Sequence, residues 1–251
     1  MIASLAAGFG LCVALAAYGR VPDAVLGIAA LAAGHGALLA TALAWAATDD
    51  PRGGAIAASG LAPAILIGLA ALAATLHSAG ALAYLSVPAW LWWLASRGRL
   101  GALGLGTPMP RAALGLGALA GGALATHLLV TASMTLGYRP RLTDGGVLGA
   151  VAYDLGAQVL ATECFFRGAL FNRAQRRWSF GPATALSTAA GLVRYLIDPR
   201  LSGAVEIVIG MVFYVTLLSV ANCWLFWRFG NLVPGLLGSL VFFAAYRTIT
   251  E

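Results

Sequence analysis

Residues 112–136 read AALGLGALAGGALATHLLVTASMTL, twenty-five positions without an Asp, Glu, Lys or Arg. A helix rises 1.5 Å per residue, so a run of this length spans about 37 Å, more than the roughly 30 Å hydrocarbon core of a bilayer. A membrane β-strand would alternate polar and apolar residues at every second position, and this stretch does not. The run therefore predicts a transmembrane helix. Similar runs extend outward from it on both sides, at about 2–19, 24–47, 55–76 and from the His77-Ser78 break to Ser96. After it come about 147–171, 181–197, 203–227 and 232–246. The breaks between them hold the charges and prolines: Arg20-Val21-Pro22-Asp23, the turn Asp49 to Gly54, the stretch Arg97 to Arg111, and Tyr138-Arg139-Pro140-Arg141. The expected fold is all-α, a polytopic transmembrane helical bundle of eight or nine spans.

Composition agrees. The 251-residue chain is 61% hydrophobic and 10% charged, whereas soluble domains carry about 25% charged residues. A water-soluble enzyme, a disordered tail and a nucleic-acid binder with a dense basic face are excluded, so no nucleic acid is expected as a partner. All 15 basic residues are arginine. This lysine-free, Ala-, Leu- and Gly-rich composition points to GC-rich coding, and the expected location is a bacterial inner (plasma) membrane. Counting loops across nine spans puts Arg52, Arg97, Arg99, Arg111, Arg173, Arg176, Arg177 and Arg228 on one side. Arg20, Arg139, Arg141, Arg200 and Arg247 fall on the other, so the first group and the N-terminus are expected in the cytoplasm. Without a basic n-region, the first apolar stretch reads as a span rather than a cleaved signal peptide. Cys12, Cys164 and Cys223 lie within apolar runs, with no CxxC or Cys/His cluster, so no disulfide framework, metal site or cofactor is expected.

The two halves differ in kind. Residues 1–146 form a set of N-terminal helices whose titratable groups within spans are His35 and His127. A histidine satisfied by a neighbouring helix is the favoured reading of each over a ligand or proton relay. Asn222 reads as an interhelical packing contact, Trp90, Trp92 and Trp93 as an interfacial belt, and Glu206 as interfacial. Gly115, Gly117, Gly121 and Gly122 permit close helix packing. From residue 147 to 251, charged side chains enter the spans themselves, at a cost of several kcal/mol each unless paired or hydrated. Asp154, Gln158 and Thr162 are spaced i, i+4, i+8 along one helix face, and Glu163 and Arg167 at i, i+4 can pair. A helix-locking ion pair accounts for Glu163 and Arg167 as well as chemistry does.

The string Glu163-Cys164-Phe165-Phe166-Arg167-Gly168-Ala169-Leu170 resembles the first motif of the CPBP family (CAAX protease and bacteriocin-processing, or Abi), intramembrane glutamic proteases. That motif is Glu-Glu-x-x-x-Arg, commonly followed by Gly-x-Leu. The family also has Phe-x-x-x-His on the next helix and His-x-x-x-Asn/Asp near the C-terminus. The stretch Arg228 to Pro234 resembles its lead-in to the last helix. The resemblance covers residues 147–246 and implies a membrane-embedded protease core. The departures are specific. The family's first Glu, the base that activates water, falls on Thr162; Phe and His of the second motif fall on Ala190 and Arg194; the third motif falls at Ser239 to Phe243 without His or Asn. Thr162 cannot accept a proton at neutral pH, and Arg194 stays protonated, so it can donate but not act as a base. The remnant groups are Glu163, Arg167, Arg194 and Asp154.

The resemblance with these departures implies a catalytically degenerate homologue, a pseudo-protease that binds or presents a membrane protein substrate or partners an active protease or sorting system. Two alternatives stand beside it. One is an active intramembrane endopeptidase using Glu163 or Asp154. The other is a small transporter or channel lined by Asp154, Glu163, Arg167 and Arg194. Expected partners are the lipid bilayer and a membrane protein substrate or partner protease.

Overall fold

A computed structural model describes residues 2–49, 60–135, 137–138, 146–196 and 205–250. Residues 50–54, the Arg139-Pro140-Arg141 segment, Arg200 and the Glu206 side chain lie outside the described residues. Every described element is helical, which bears out the all-α expectation. By packing the chain separates into two units, one of Met1–Ala102 with Thr143–Phe165, the other of Leu103–Leu142 with Phe166–Glu251.

The first unit holds α1 (Ile2–Ala17), α2 (Asp23–Asp49), α3 (Ala62–Leu76), a 3-10 stretch (Ser78–Leu85) and α4 (Ser86–Ser96). The beginning of a long helix, α6 (residues 146–175), completes it. Small residues set its packing. A Cβ on Gly36 of α2 would sit 2.6 Å from the Ala64 Cα of α3, so these backbones meet without intervening side chains, as small residues allow in membranes. The buried face of α2 runs His35, Gly36, Leu39, Ala40, Ala42, Leu43 and Ala46, the three-four spacing of one helical stripe.

The fourth expected span differs from its prediction. His77 is extended (φ −156, ψ 143), and its Nδ1 accepts from the Ala79 N–H at 3.1 Å. The chain then turns as a 3-10 stretch so close to α3 that Gly80 has no room for a Cβ beside the Ala73 carbonyl. What remains helical, α4, has 11 residues, about 16 Å, short of the core thickness. Trp92 and Trp93 of α4 are exposed and Trp90 is half-buried, and the Arg97 guanidinium lies 4.3 Å from the Trp93 ring centroid.

The second unit holds α5 (Arg111–Thr135), the remainder of α6, α7 (Phe180–Leu196), α8 (Val205–Phe229) and α9 (Val233–Thr250). Its seam joins α5 to α9. A Cβ on Gly117 would run into the Pro234 carbonyl, and one on Gly121 into the Gly238 carbonyl. The neighbouring Gly115 and Gly122 face open space, so two of the four glycines named from sequence make the contact. The α8–α9 corner is built by Gly230 at φ +62 and by Asn231. The Asn231 Oδ1 accepts the Val233 N–H at 2.8 Å, capping α9, while Nδ2 donates to the Thr107 carbonyl at 2.7 Å.

Among the described helices α2, α5 and residues 207–229 of α8 are long and apolar enough to cross a membrane; residues 6–17, 62–76 and 233–249 form shorter apolar helices. The pattern on α8 is inverted relative to a water-soluble helix. Its exposed residues Ile209, Phe213, Leu217, Val220, Trp224 and Trp227 form an apolar stripe, while Ser219 and Asn222 are buried. Such a helix meets lipid outside and polar partners inside.

Candidate functional site

The motif-bearing helix α6 is continuous from 146 to 175, but its pitch changes along the way. It is α-helical over Gly146–Tyr153, Val159–Glu163 and Asn172–Gln175, and π-helical over Asp154–Gln158 and Cys164–Phe171. The Val159 N–H reaches back five residues to the Asp154 carbonyl, the hydrogen bond that defines a π turn. Wide turns of this kind are rare and concentrate at functional sites. Here one lies on each side of Thr162 and Glu163.

In the first unit, Asp154, Thr162 and Glu163 are all buried, and Gln158 is half-buried. The Thr162 hydroxyl lies 2.8 Å from the Gln158 carbonyl and 3.0 Å from the Val159 carbonyl. Its single proton is therefore committed to its own helix backbone, the back-bonding typical of threonine within helices. At Thr162, where the resemblance puts the family's base, this chain has a hydroxyl turned onto the preceding turn. Nearby, Tyr84 and Tyr153 meet edge to face at 5.2 Å, and a Cβ on Gly156 would run into the Tyr84 carbonyl. The 3-10 stretch and α6 thus interlock at the first π turn.

In the second unit, two of the motif positions come together. Arg194 and Ala190 are half-buried on the last two turns of α7. The Arg194 guanidinium lies 5.9 Å from the Tyr195 ring, and Tyr195 stacks on Phe243 of α9 with centroids 6.0 Å apart and planes at 19°. Tyr195, the chain neighbour of Arg194, thus stacks on Phe243 at the end of the Ser239 to Phe243 stretch. One turn earlier on α9, the buried Ser239 Oγ accepts a 2.8 Å hydrogen bond from Asn222 Nδ2 of α8. The packing role expected of Asn222 is what the structure has, and its partner is the residue at the family's third-motif histidine position.

Hydroxyl groups extend this network. Thr188 and Ser219 hydrogen-bond at 2.8 Å, tying α7 to α8, and Ser187 Oγ donates to the Phe166 carbonyl at 2.8 Å, tying α7 to the end of α6. Sequence reading did not single out Ser187, Thr188 or Ser219. Their signal was the three-four spacing of Thr184, Ser187, Thr188 and Gly191, which places small polar residues on one face of α7. Arg167 is buried as well. Peptide hydrolysis needs a base beside a water and donors for the developing oxyanion. Asn222 and Arg194 are groups that can donate.

Both histidines hydrogen-bond to tyrosines on neighbouring helices. His35 Nε2 is 3.0 Å from Tyr153 Oη, and His127 Nδ1 is 2.8 Å from Tyr214 Oη. A cavity of about 690 Å³ opens among α5, α8 and α9, lined by His127, Met211, Phe213, Tyr214, Phe242 and Tyr246 among others; Thr162, Glu163, Arg167, Arg194 and Ser239 do not line it. Among the described residues no three His, Cys, Asp or Glu side chains gather in a metal-binding group.

In comparison with known families, residues 145–243, less than half of the chain, fit the family described as type II CAAX prenyl endopeptidase Rce1-like. The matched segment contains all three motif positions, and the resemblance read from them is borne out there. No curated protein and no solved structure matches the chain.

Proposed function

With residues 145–243 an Rce1-like region of the CAAX protease family, we propose that this chain is an integral membrane homologue that no longer hydrolyses peptide bonds. In this reading it binds or presents a membrane protein substrate, or partners an active protease or sorting system. The observation that carries the proposal is Thr162. A carboxylate at that position would activate water, but the hydroxyl present spends its proton on the carbonyls of Gln158 and Val159. The Asn222–Ser239 bond supports the same reading, because Ser239 serves as an interhelical acceptor where the family has a histidine. The lysine-free, Ala- and Leu-rich composition supports a bacterial inner membrane as its location.

Asp154 and Glu163 favour a second reading, an active endopeptidase with a relocated base, because buried carboxylates are retained at a cost. The two separate in one experiment. Purified protein in lipid nanodiscs is incubated with prenylated and unprenylated CAAX-type peptides and with transmembrane peptides. The proposal expects no cleavage above a protein-free control. Cleavage that disappears in Glu163→Gln or Asp154→Asn would replace it with the second reading. Binding of the same peptides without turnover is the positive result expected of a presenting subunit.

A further inference from the structure

Five arginines collect at one end of the second unit. Arg111 opens α5, Arg173, Arg176 and Arg177 follow the π segment of α6, and Arg228 closes α8. Contacts within the unit bring these points together. Thr107, four residues before Arg111, hydrogen-bonds to Gly230 and Asn231, just beyond Arg228. The Phe171 ring lies 6.1 Å from Phe226 and 5.9 Å from Phe180, and Phe180 lies 5.3 Å from Trp227. The end of α6, the start of α7 and the end of α8 therefore share one aromatic cluster, with the arginines around it.

Arg111, Arg176, Arg177 and Arg228 are exposed, as are Trp178, Trp224 and Trp227. No Asp or Glu occurs in the sequence at 103–142, 164–197 or 207–250. The charges carried by these stretches are thus all positive. Away from this end, the apolar stripe of α8 from Trp227 to Ile209 runs along the lipid-facing side.

We propose that this face is a binding site for anionic phospholipid, with arginine forks on the phosphodiester, tryptophans at the ester level and acyl chains along the α8 stripe. Three features select this occupant. Guanidinium groups bind phosphate oxygens in a bidentate manner. Tryptophan settles at the headgroup boundary. The apolar stripe continues directly into the region where acyl chains lie. An acidic protein tail would match the arginines but would leave the tryptophans and the stripe without a role. A purely topological role for the arginines would hold loops on one side without discriminating between lipids. The proposal is independent of whether the chain cuts peptides.

The test places the full chain in phosphatidylcholine vesicles with a rising fraction of brominated phosphatidylglycerol, or of brominated phosphatidylcholine as reference, and reads tryptophan quenching. Quenching by the anionic lipid is expected to exceed its mole fraction and to weaken as salt rises. Replacing Arg111→Gln, Arg177→Gln and Arg228→Gln together should reduce the relative affinity roughly a hundredfold, while the corresponding lysine variants retain most of it. Equal quenching by the two lipids in the unaltered protein would overturn the site, as would selectivity that survives the glutamine variant. Selectivity indifferent to salt also overturns it, and decides the case if the glutamine variant fails to fold. Saturable binding of an acidic peptide without lipid selectivity would assign the face to a protein partner instead.

Discussion

Substituting Gly121→Ala tests the α5–α9 seam most directly. An ideal Cβ there lies 2.7 Å from the Gly238 Cα and closer still to its carbonyl oxygen. Carbon atoms rest at about 3.5–4.0 Å, so the two helices must part by roughly 1 Å. The obstructing atoms are backbone, which no rotamer change can move, so the cost falls toward the upper end of the 1–3 kcal/mol typical of overpacking. Alanine returns about 1 kcal/mol through its better helix propensity. The net loss is about 2 kcal/mol, or roughly 4–8 °C in Tm for a chain of this size. Gly122→Ala, one residue on, meets nothing within 4 Å, and should instead raise Tm by about 2–4 °C. Thermal unfolding in the same nanodiscs, followed by tryptophan fluorescence, reads both variants. If Gly121→Ala melts no lower than Gly122→Ala, the contact does not hold the seam and the argument from close approach fails.

Two further outcomes follow from hydrogen bonds. In a double-mutant cycle of Asn222→Ala and Ser239→Ala, unfolding should show a coupling of about 0.6–1.7 kcal/mol, the range for interhelical bonds in membranes; additive losses would mean the bond contributes nothing. Asn231→Ala should cost about 1–2 kcal/mol in the same assay, through the lost α9 cap and the bond to Thr107, and Asn231→Ser should recover the capping part.

Helix positions were legible wherever a long apolar run met a charged or proline-containing break. The run at 112–136 became Arg111–Thr135, and the run at 232–246 became Val233–Thr250. The fourth span was not legible as built, because its 3-10 turn depends on the close approach of Gly80 to Ala73, a tertiary fact that hydropathy cannot register. At the site, the motif at Glu163 to Arg167 was enough to locate the family region. Both histidines bond to a neighbouring helix as expected, yet their partners, Tyr153 and Tyr214, lie 118 and 87 residues away in sequence and could not be named. The hydroxyl network of Ser187, Thr188 and Ser219 was missed because small polar residues are common in membrane helices and only packing distinguishes those that bond. The π turns leave no compositional mark at all.

Those π turns alter what a change of length would do to α6. In an α-helix each residue advances the side chains by about 100°, so losing one residue swings everything after it to another face. A π turn is in effect one residue stored in the backbone. Deleting a residue within Asp154–Gln158 lets the helix tighten to ordinary pitch and absorb the loss locally, with Thr162 and Glu163 left on the faces they now occupy. The same deletion within Val159–Glu163 has no slack of its own to draw on. The helix that carries the motif is thus unevenly tolerant of insertion and deletion, and its slack lies on both sides of the residues where a shift in phase would matter most.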